Sequence, residues 1–273
     1  MDEPARLQAA LDEILRPLGR LVTAYSGGVD SAFLASRAHA VMGRGALAVT
    51  AVSASLARRE REAAAELARR FGWNHLEVDA NELQREEYVR NSSDRCFWCK
   101  TELFDVIEPI ARDLDAPIAL GTNVDDLGDH RPGLEAARNR KARAPLVEAG
   151  LDKAAIRELS RRAGLPTAEK PASPCLASRL AYGVAVTEER LERVDEAEEV
   201  IRGLGFDVLR VRDHGDLARI EVPEEDIDRL LADRARIAAE LAALGFRYVT
   251  VDLAGFRSGS LNEVLVEPTF RAT

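Results

Sequence analysis

Two rhythms of apolar positions alternate along the first 120 residues. Short, nearly continuous apolar runs at 21–25, 46–52, 75–78 and 118–121 predict buried strands. Between them, apolar residues three and four apart predict helices over 4–15, 31–41, 57–71 and 100–114. Strands alternating with helices predict an α/β domain whose parallel sheet is covered on both faces. Such sheets bind ligands beyond the carboxyl ends of their strands, so the loops at 26–31 and 122–129 are expected at one edge. A further helix over 153–163 leads into a stretch rich in proline and small residues, Lys170-Pro171-Ala172-Ser173-Pro174-Cys175. This predicts a boundary between a domain at 1–170 and a second at 171–273. The second reads helix 188–203, strands 208–212 and 218–222, helix 224–244 and strand 248–253, a smaller α+β unit.

Composition narrows the picture. At 273 residues the chain can bury a core without disulfide staples. Its 38 basic and 47 acidic residues give a net charge of -9, which argues against a broad electrostatic grip on nucleic acid. No run reaches the ~18 apolar residues of a membrane span, and Met1-Asp2-Glu3-Pro4 lacks the basic, apolar start of a secretion signal. A cytoplasmic protein is therefore expected. With three cysteines, a metal or reactive site explains them better than a disulfide framework.

The first candidate site is Ser26-Gly27-Gly28-Val29-Asp30-Ser31, directly after the first strand. Two glycines let the backbone turn tightly with its N–H groups toward an anion, and the following helix adds its positive end. It lacks the Gly-Lys-Ser/Thr of a Walker A loop and the third glycine of a dinucleotide fingerprint. The plainer alternative is a strand-to-helix turn with Asp30 as helix N-cap. The second loop, Gly121-Thr122-Asn123-Val124-Asp125-Asp126-Leu127-Gly128-Asp129, carries three carboxylates that suit Mg²⁺ or that simply cap backbone.

Cys96 and Cys99 stand three apart at a predicted helix start, which brings them onto one helical face. With Cys175 they would make three thiolates, a set that suits a [4Fe–4S] cluster with one open iron. A redox pair, a zinc site completed by a histidine such as His130, and unconnected buried cysteines remain alternatives at this point.

The whole signature SGGVDS resembles that of the PP-loop ATP pyrophosphatases, which cleave ATP between its α- and β-phosphates and form adenylated intermediates. The resemblance implies that Ser26, Gly27, Gly28, Val29 and Ser31 hold pyrophosphate, with Asp30 close to Mg²⁺ and Gly121, Asn123, Asp125 and Asp126 completing the ATP site; Asp129 is a second Mg²⁺ candidate. Longer segments are more selective: GTNVDDLGDHRPGLEAARNRKARAPL from Gly121, PASPCLASRLAYG from Pro171, LRVRDHGDLARIEVP from Leu209 and FRYVTVDLAGFRSGSLN from Phe246. All resemble the LarE family, ATP-dependent sulfur transferases of nickel-pincer nucleotide biosynthesis. The family's substrate is pyridinium-3,5-biscarboxylic acid mononucleotide, whose carboxylates become thiocarboxylates.

Some LarE proteins sacrifice the sulfur of one cysteine, at a position that falls near Pro174 here. Others carry three cysteines and a [4Fe–4S] cluster that holds an additional sulfide. The cysteines here resemble the second kind, with Cys96, Cys99 and Cys175 as cluster ligands, Cys175 near the chemistry and sulfide supplied by a donor. Arg210 and Arg212 alternate along a predicted strand and so share a face suited to the substrate phosphate. Ser178, Arg179, Arg257, Ser258 and Glu198 belong near this site by resemblance, with Glu198 an orienting or acid/base group. The plainer alternative for each arginine is an exposed strand charge or a surface ion pair. The family also implies a homo-oligomer. A tRNA thiolase and a LarE that sacrifices Cys175 are the rival enzymes, and a nucleotide sensor without turnover is the rival of another class.

Overall fold

Residues 2–128, 132–257 and 260 are described in a computed structural model. In chain order the helices and strands are α1 (Glu3–Leu15), β1 (Leu21–Ala24), α2 (Val29–Met42), β2 (Ala46–Val52), α3 (Arg58–Arg70), β3 (His75–Asp79), α4 (Glu86–Val89), α5 (Arg95–Asp113) and β4 (Ile118–Ala119). There follow α6 (Pro132–Asn139), α7 (Pro145–Glu148), α8 (Lys153–Arg162), α9 (Glu188–Arg202), β5 (Arg210–Asp213), β6 (Leu217–Glu221), α10 (Ile227–Ala232), α11 (Arg234–Ala243) and β7 (Tyr248–Val251). Among the described residues no helix is long and apolar enough to cross a membrane.

The chain forms two compact units. The first comprises Met1–Glu82 and Cys96–Ser173, the second Leu83–Arg95 and Pro174–Thr273. A single cut after residue 170 does not describe this division, because the segment with α4 joins the later part of the chain.

In the first unit a four-stranded sheet runs β3-β2-β1-β4, every neighbouring pair parallel. Side chains alternate across a strand, and β1 shows the consequence. Leu21 and the following Tyr25 join a cluster with Phe33, Leu34, Leu67 and Leu159, from α2, α3 and α8. Val22 and Ala24 join another with Phe104, Ile107 and Ala137, from α5 and α6. A strand apolar at nearly every position is what a sheet buried on both faces requires. Side chains fix several helix starts: Asp2 accepts from the Ala5 N–H at 3.1 Å and Asp152 from that of Ala155 at 2.7 Å.

In the second unit β5 and β6 are antiparallel, while β6 and β7 are parallel. Leu191, Val194, Ala197 and Ile201 of α9 are fully buried, as are Val211, Ala218 and Leu241. The helix expected over 224–244 is divided: a 3₁₀ turn at Glu224–Asp226 precedes α10, and Asp233 separates α10 from α11. Apolar spacing continues across Asp233, which hides the break from a reading of periodicity. The strand expected from 208 begins at Arg210.

Phe104 is fully buried beneath the sheet. Phe104→Ala is expected to cost about 3–5 kcal/mol, measured as a lower urea midpoint with an unchanged slope.

Candidate active site

The phosphate loop begins where β1 ends. Gly27 has φ +70°, and a Cβ there would stand 2.8 Å from the Ala64 Cβ, so both conformation and space require glycine. Gly28, rather than Asp30, is the N-cap residue of α2, and no side chain caps that helix. The positive end of α2 thus stays available to an anion. Ser26 and Ser31 hydroxyls lie 3.1 Å apart, the Ser26 N–H donates to Ser31 Oγ at 3.2 Å, and Ser31 Oγ donates to the Gly28 carbonyl at 3.2 Å. These bonds close the loop on itself.

The second loop packs directly against the first. A Cβ on Gly121 would lie 2.7 Å from the Ser31 nitrogen, so this glycine permits the approach of two backbones. Asn123 is buried and its side chain accepts from the Asp125 N–H at 2.9 Å; Asp126 accepts from the Asn123 N–H at 3.0 Å. Asp125 accepts from the Lys153 N–H at 2.9 Å. Asp125 and Asp126 therefore brace backbone in this structure. Asp129, Ser258 and His130 lie outside the described residues.

Asp30 is different. One oxygen meets the Lys153 ammonium at 2.5 Å, while Oδ1 is buried without a hydrogen-bond partner. A buried, unsatisfied carboxylate oxygen beside a phosphate loop fits a hard cation such as Mg²⁺. Lys170 adds a tether, donating to the Gly27 carbonyl at 3.0 Å and pairing with Glu60 at 2.6 Å. Gly27, Arg59, Leu67, Thr167 and Lys170 help to line a cleft of about 420 Å³. The sequence reading did not single out Lys153, Lys170 or Glu60. For Lys153, its place at the first turn of a helix in an α/β unit was the available signal.

In the second unit a segment of irregular backbone, residues 174–184, is held by buried charges. Arg179 and Glu198 are each 2% exposed and form a two-point pair, Nε to Oε1 at 2.9 Å and Nη2 to Oε2 at 3.1 Å. Arg179 also donates to the carbonyls of Pro174 and Cys175 and to Ser178 Oγ. Glu198 further accepts from Arg202 and from the Val211 N–H. Burial pushes the Glu198 carboxyl up, but the charge and hydrogen bonds of Arg179, with Arg210 and Arg202, outweigh it and hold the group below its ordinary value. Glu198 stays ionised with both oxygens engaged.

Arg210 and Arg212 alternate along β5 as expected, yet both are buried, at 8% and 5% exposure, not exposed strand charges. Arg212 donates from Nε and Nη2 to Glu221 at 3.0 and 2.8 Å, and from Nη1 to the Ser178 carbonyl at 3.0 Å. Glu221, fully buried and absent from the sequence reading, also takes bonds from Arg219 and Ser260. Burial, reinforced by the charge of Arg179 and opposed by Glu198, pushes Arg210 down to about 10, so it remains a cation at neutral pH. Arg257 donates to the Gly255 carbonyl and lies 3.6 Å from Asp252.

Cys96 and Cys99 occupy the first turn of α5 in the first unit, and Cys175 starts a 3₁₀ turn in the second. The three cysteines stand outside any disulfide, Cys96 exposed and the others half-buried. Among the described residues no three His, Cys, Asp or Glu side chains gather as a metal site. Within the first unit, Cys96 and Cys99 stand three residues apart on one helix.

A parallel sheet with a glycine loop ahead of an uncapped helix defines a PP-loop nucleotide-binding protein, and the comparisons agree. A family model described as asparagine synthase matches residues 5–111. An uncharacterised Synechocystis protein is 43% identical over 260 residues, 94% of this chain and 97% of its own. A Lactiplantibacillus plantarum protein named pyridinium-3,5-bisthiocarboxylic acid mononucleotide synthase is 37% identical over 265 residues, 96% of each chain. An uncharacterised Methanocaldococcus jannaschii protein is 26% identical over 240 residues, 88% of this chain and 91% of its own. The chain belongs to the LarE family, that of the L. plantarum synthase, and is an ATP-dependent enzyme of the PP-loop class. The tRNA-thiolase alternative gives way to this family.

Two outcomes test the geometry. Gly27→Ala should weaken ATP binding at least tenfold through a left-handed strain of about 1–3 kcal/mol added to the Ala64 clash, read by equilibrium dialysis. Glu198→Gln should cost on the order of 3 kcal/mol at neutral pH by leaving a buried guanidinium uncompensated. Because Glu198 is lowered on folding, its contribution is complete above the unfolded carboxyl value of about 4 and fades as pH falls through the folded one. Urea melts of the two proteins should accordingly converge in acid.

Proposed function

We propose that this enzyme is a sulfur transferase that converts the carboxylates of pyridinium-3,5-biscarboxylic acid mononucleotide to thiocarboxylates. The observation that carries the ATP half is the uncapped start of α2 behind a glycine at φ +70°. The likeness to the L. plantarum pyridinium-3,5-bisthiocarboxylic acid mononucleotide synthase supports the acceptor.

A carboxylate is a poor electrophile because its leaving group would be an oxide. In the proposed reaction a substrate carboxylate oxygen attacks the α-phosphorus of ATP, and the bond to the β-phosphate oxygen breaks, releasing pyrophosphate. Ser26, Gly27, Gly28, Val29 and Ser31 receive that pyrophosphate through backbone N–H groups and hydroxyls. Asp30 is the residue proposed to hold Mg²⁺ through its unsatisfied Oδ1, with Gly121, Asn123, Asp125 and Asp126 shaping the opposite wall; Asp129 is a further Mg²⁺ candidate. When bound, Mg²⁺ would neutralise charge on the leaving phosphates. A sulfur nucleophile then attacks the acyl carbon, and the acyl–oxygen bond breaks with AMP as leaving group. The second carboxylate repeats the sequence with another ATP.

Arg210, Arg212, Arg257 and Ser258 are the proposed partners of the substrate phosphate and free carboxylate. Around the 174–184 segment, four buried guanidiniums, of Arg95, Arg179, Arg210 and Arg212, accompany three buried carboxylates, of Glu198, Asp213 and Glu221. That surplus of positive charge suits an anionic substrate in a chain whose net charge is -9. Ser178 and Cys175 lie on the same segment, which Arg179 and Glu198 hold in shape. The finer part of the proposal assigns Cys96, Cys99 and Cys175 to a [4Fe–4S] cluster. Soft thiolates are its ordinary ligands, usually four, so three would leave one iron open, and when bound the cluster would supply a place to deliver sulfide from an external donor. A homo-oligomer belongs to the same reading.

Anaerobic protein given the biscarboxylated nucleotide, ATP, Mg²⁺ and sulfide should form AMP, pyrophosphate and a product with sulfur in place of carboxylate oxygen. ATP consumption without thiocarboxylate would sink the acceptor assignment and leave the ATP site standing. Iron analysis should find about four irons per chain, lost in the Cys96→Ala, Cys99→Ala, Cys175→Ala triple variant. No iron after anaerobic reconstitution would return the sulfur source to Cys175 itself.

A further inference from the structure

The segment 174–184 contains one short 3₁₀ turn, Leu176–Arg179, a single bridge from Leu180 to Asp213, and otherwise no regular structure. A segment without a ladder must satisfy its carbonyls by other means. Arg179 and Arg212 bind three of them: Arg179 those of Pro174 and Cys175, and Arg212 that of Ser178. The remaining bonds come from an unexpected place, the Leu83–Arg95 segment that departs from the first unit's chain to join the second.

Asn91 is fully buried with φ +55°, a conformation that asparagine tolerates better than most residues. Its side-chain amide donates to the carbonyls of Val184 at 2.8 Å, Ala181 at 2.9 Å and Leu180 at 3.4 Å. Arg95, 6% exposed, donates from Nη1 to the Asn91 side-chain oxygen and, at 2.8 Å, to the Ala177 carbonyl. Its guanidinium also lies 5.9 Å from the centre of the Tyr182 ring. Backbone bonds complete the seam: the Gly183 N–H donates to the Asn91 carbonyl at 3.2 Å and that of Val186 to Val89 at 2.9 Å.

We propose that Asn91 and Arg95 are positioning residues for sulfur transfer, fixing the backbone on which Cys175, Ser178 and Arg179 stand. Nothing in the chemistry of catalysis asks for a buried amide beneath three carbonyls of a loop, but holding Ala177 on one side and Leu180–Val184 on the other sets the course of the residues between. Arg95 also immediately precedes Cys96 in the chain, so one side chain ties the residue before one candidate thiol to a carbonyl two residues beyond another. This inference rests on the reading of the Cys175 segment as part of the sulfur-transfer site.

The test begins in a Cys96→Ser, Cys99→Ser background, where Cys175 is the one remaining thiol of three. Asn91→Gly keeps the left-handed backbone and removes the amide; Asn91→Asp keeps the size and the contact with Arg95 but cannot donate. Both should speed alkylation of Cys175 by iodoacetamide roughly tenfold, because loosened local structure opens more often. Ile237→Ala, a truncation of a buried residue in α11, is the control for general destabilisation and should leave that rate unchanged. Equal rates in the Asn91 variants and their parent, or equal acceleration in the control, would overturn the positioning role. Alkylation needs neither ATP nor substrate, so this outcome stands apart from the proposed reaction. In the three-cysteine protein, Arg95→Met should raise KM for the biscarboxylated nucleotide about tenfold with KM for ATP unchanged, while Arg95→Lys recovers part of the loss. Parallel rises in both KM values would also overturn it.

Discussion

The pairing of Arg179 with Glu198 is the contact on which the candidate sulfur-transfer segment depends. A buried guanidinium is costly unless its N–H groups are all satisfied and its charge is matched. Glu198 matches the charge through two of those groups, which leaves the others to reach the Pro174 and Cys175 carbonyls. The pair therefore turns α9 into an anchor for irregular backbone. Glu221 does the same for Arg212, which also donates to the Ser178 carbonyl and to Ser260 Oγ. Charge burial, which contributes little to net stability when compared with apolar packing, here specifies one path among many for a segment that has no ladder to follow.

The first unit solves a different problem with different means. Its phosphate loop must present N–H groups to a ligand, so the usual side-chain cap of a helix start is missing at α2, whereas Asp2 and Asp152 cap α1 and α8. The loop is instead steadied from outside its own N–H groups: by Gly121 pressed against Ser31, by Lys170 on the Gly27 carbonyl and by Lys153 on Asp30. Each of these contacts leaves the anion-facing side of the turn unspent.

The alternating strands and helices of the first unit were legible because a sheet buried on both faces writes continuous apolar runs, and β1 is such a run. The phosphate loop was legible because few folds need two glycines between a strand and a helix. Arg210 and Arg212 were correctly read as sharing a strand face, but their burial was not, since partners such as Glu221 are set by strand register. Asn91, Arg95 and Lys170 carried no signal of their own, and Lys153 only its place at the start of a helix. Their partners lie 28 to 143 residues away in the examples of Lys153 on Asp125 and Lys170 on Gly27, and only the fold brings such residues together. The break at Asp233 escaped for the opposite reason: apolar spacing persists across it while the backbone does not.

The route of the chain has a consequence for modularity. Because Leu83–Arg95 belongs to the second unit, the polypeptide passes from first unit to second, back, and out again. A gene fragment encoding residues 174–273 would deliver the two buried arginine–carboxylate pairs without the amide of Asn91 beneath their loop, so the second unit cannot be exchanged between proteins by recombination at one junction. On the ribosome, too, Asn91 emerges some 90 residues before the carbonyls it will hold. Its segment must wait through the synthesis of most of the first unit, and the loop around Cys175 can assume its final course only after that early strand of chain has been recruited.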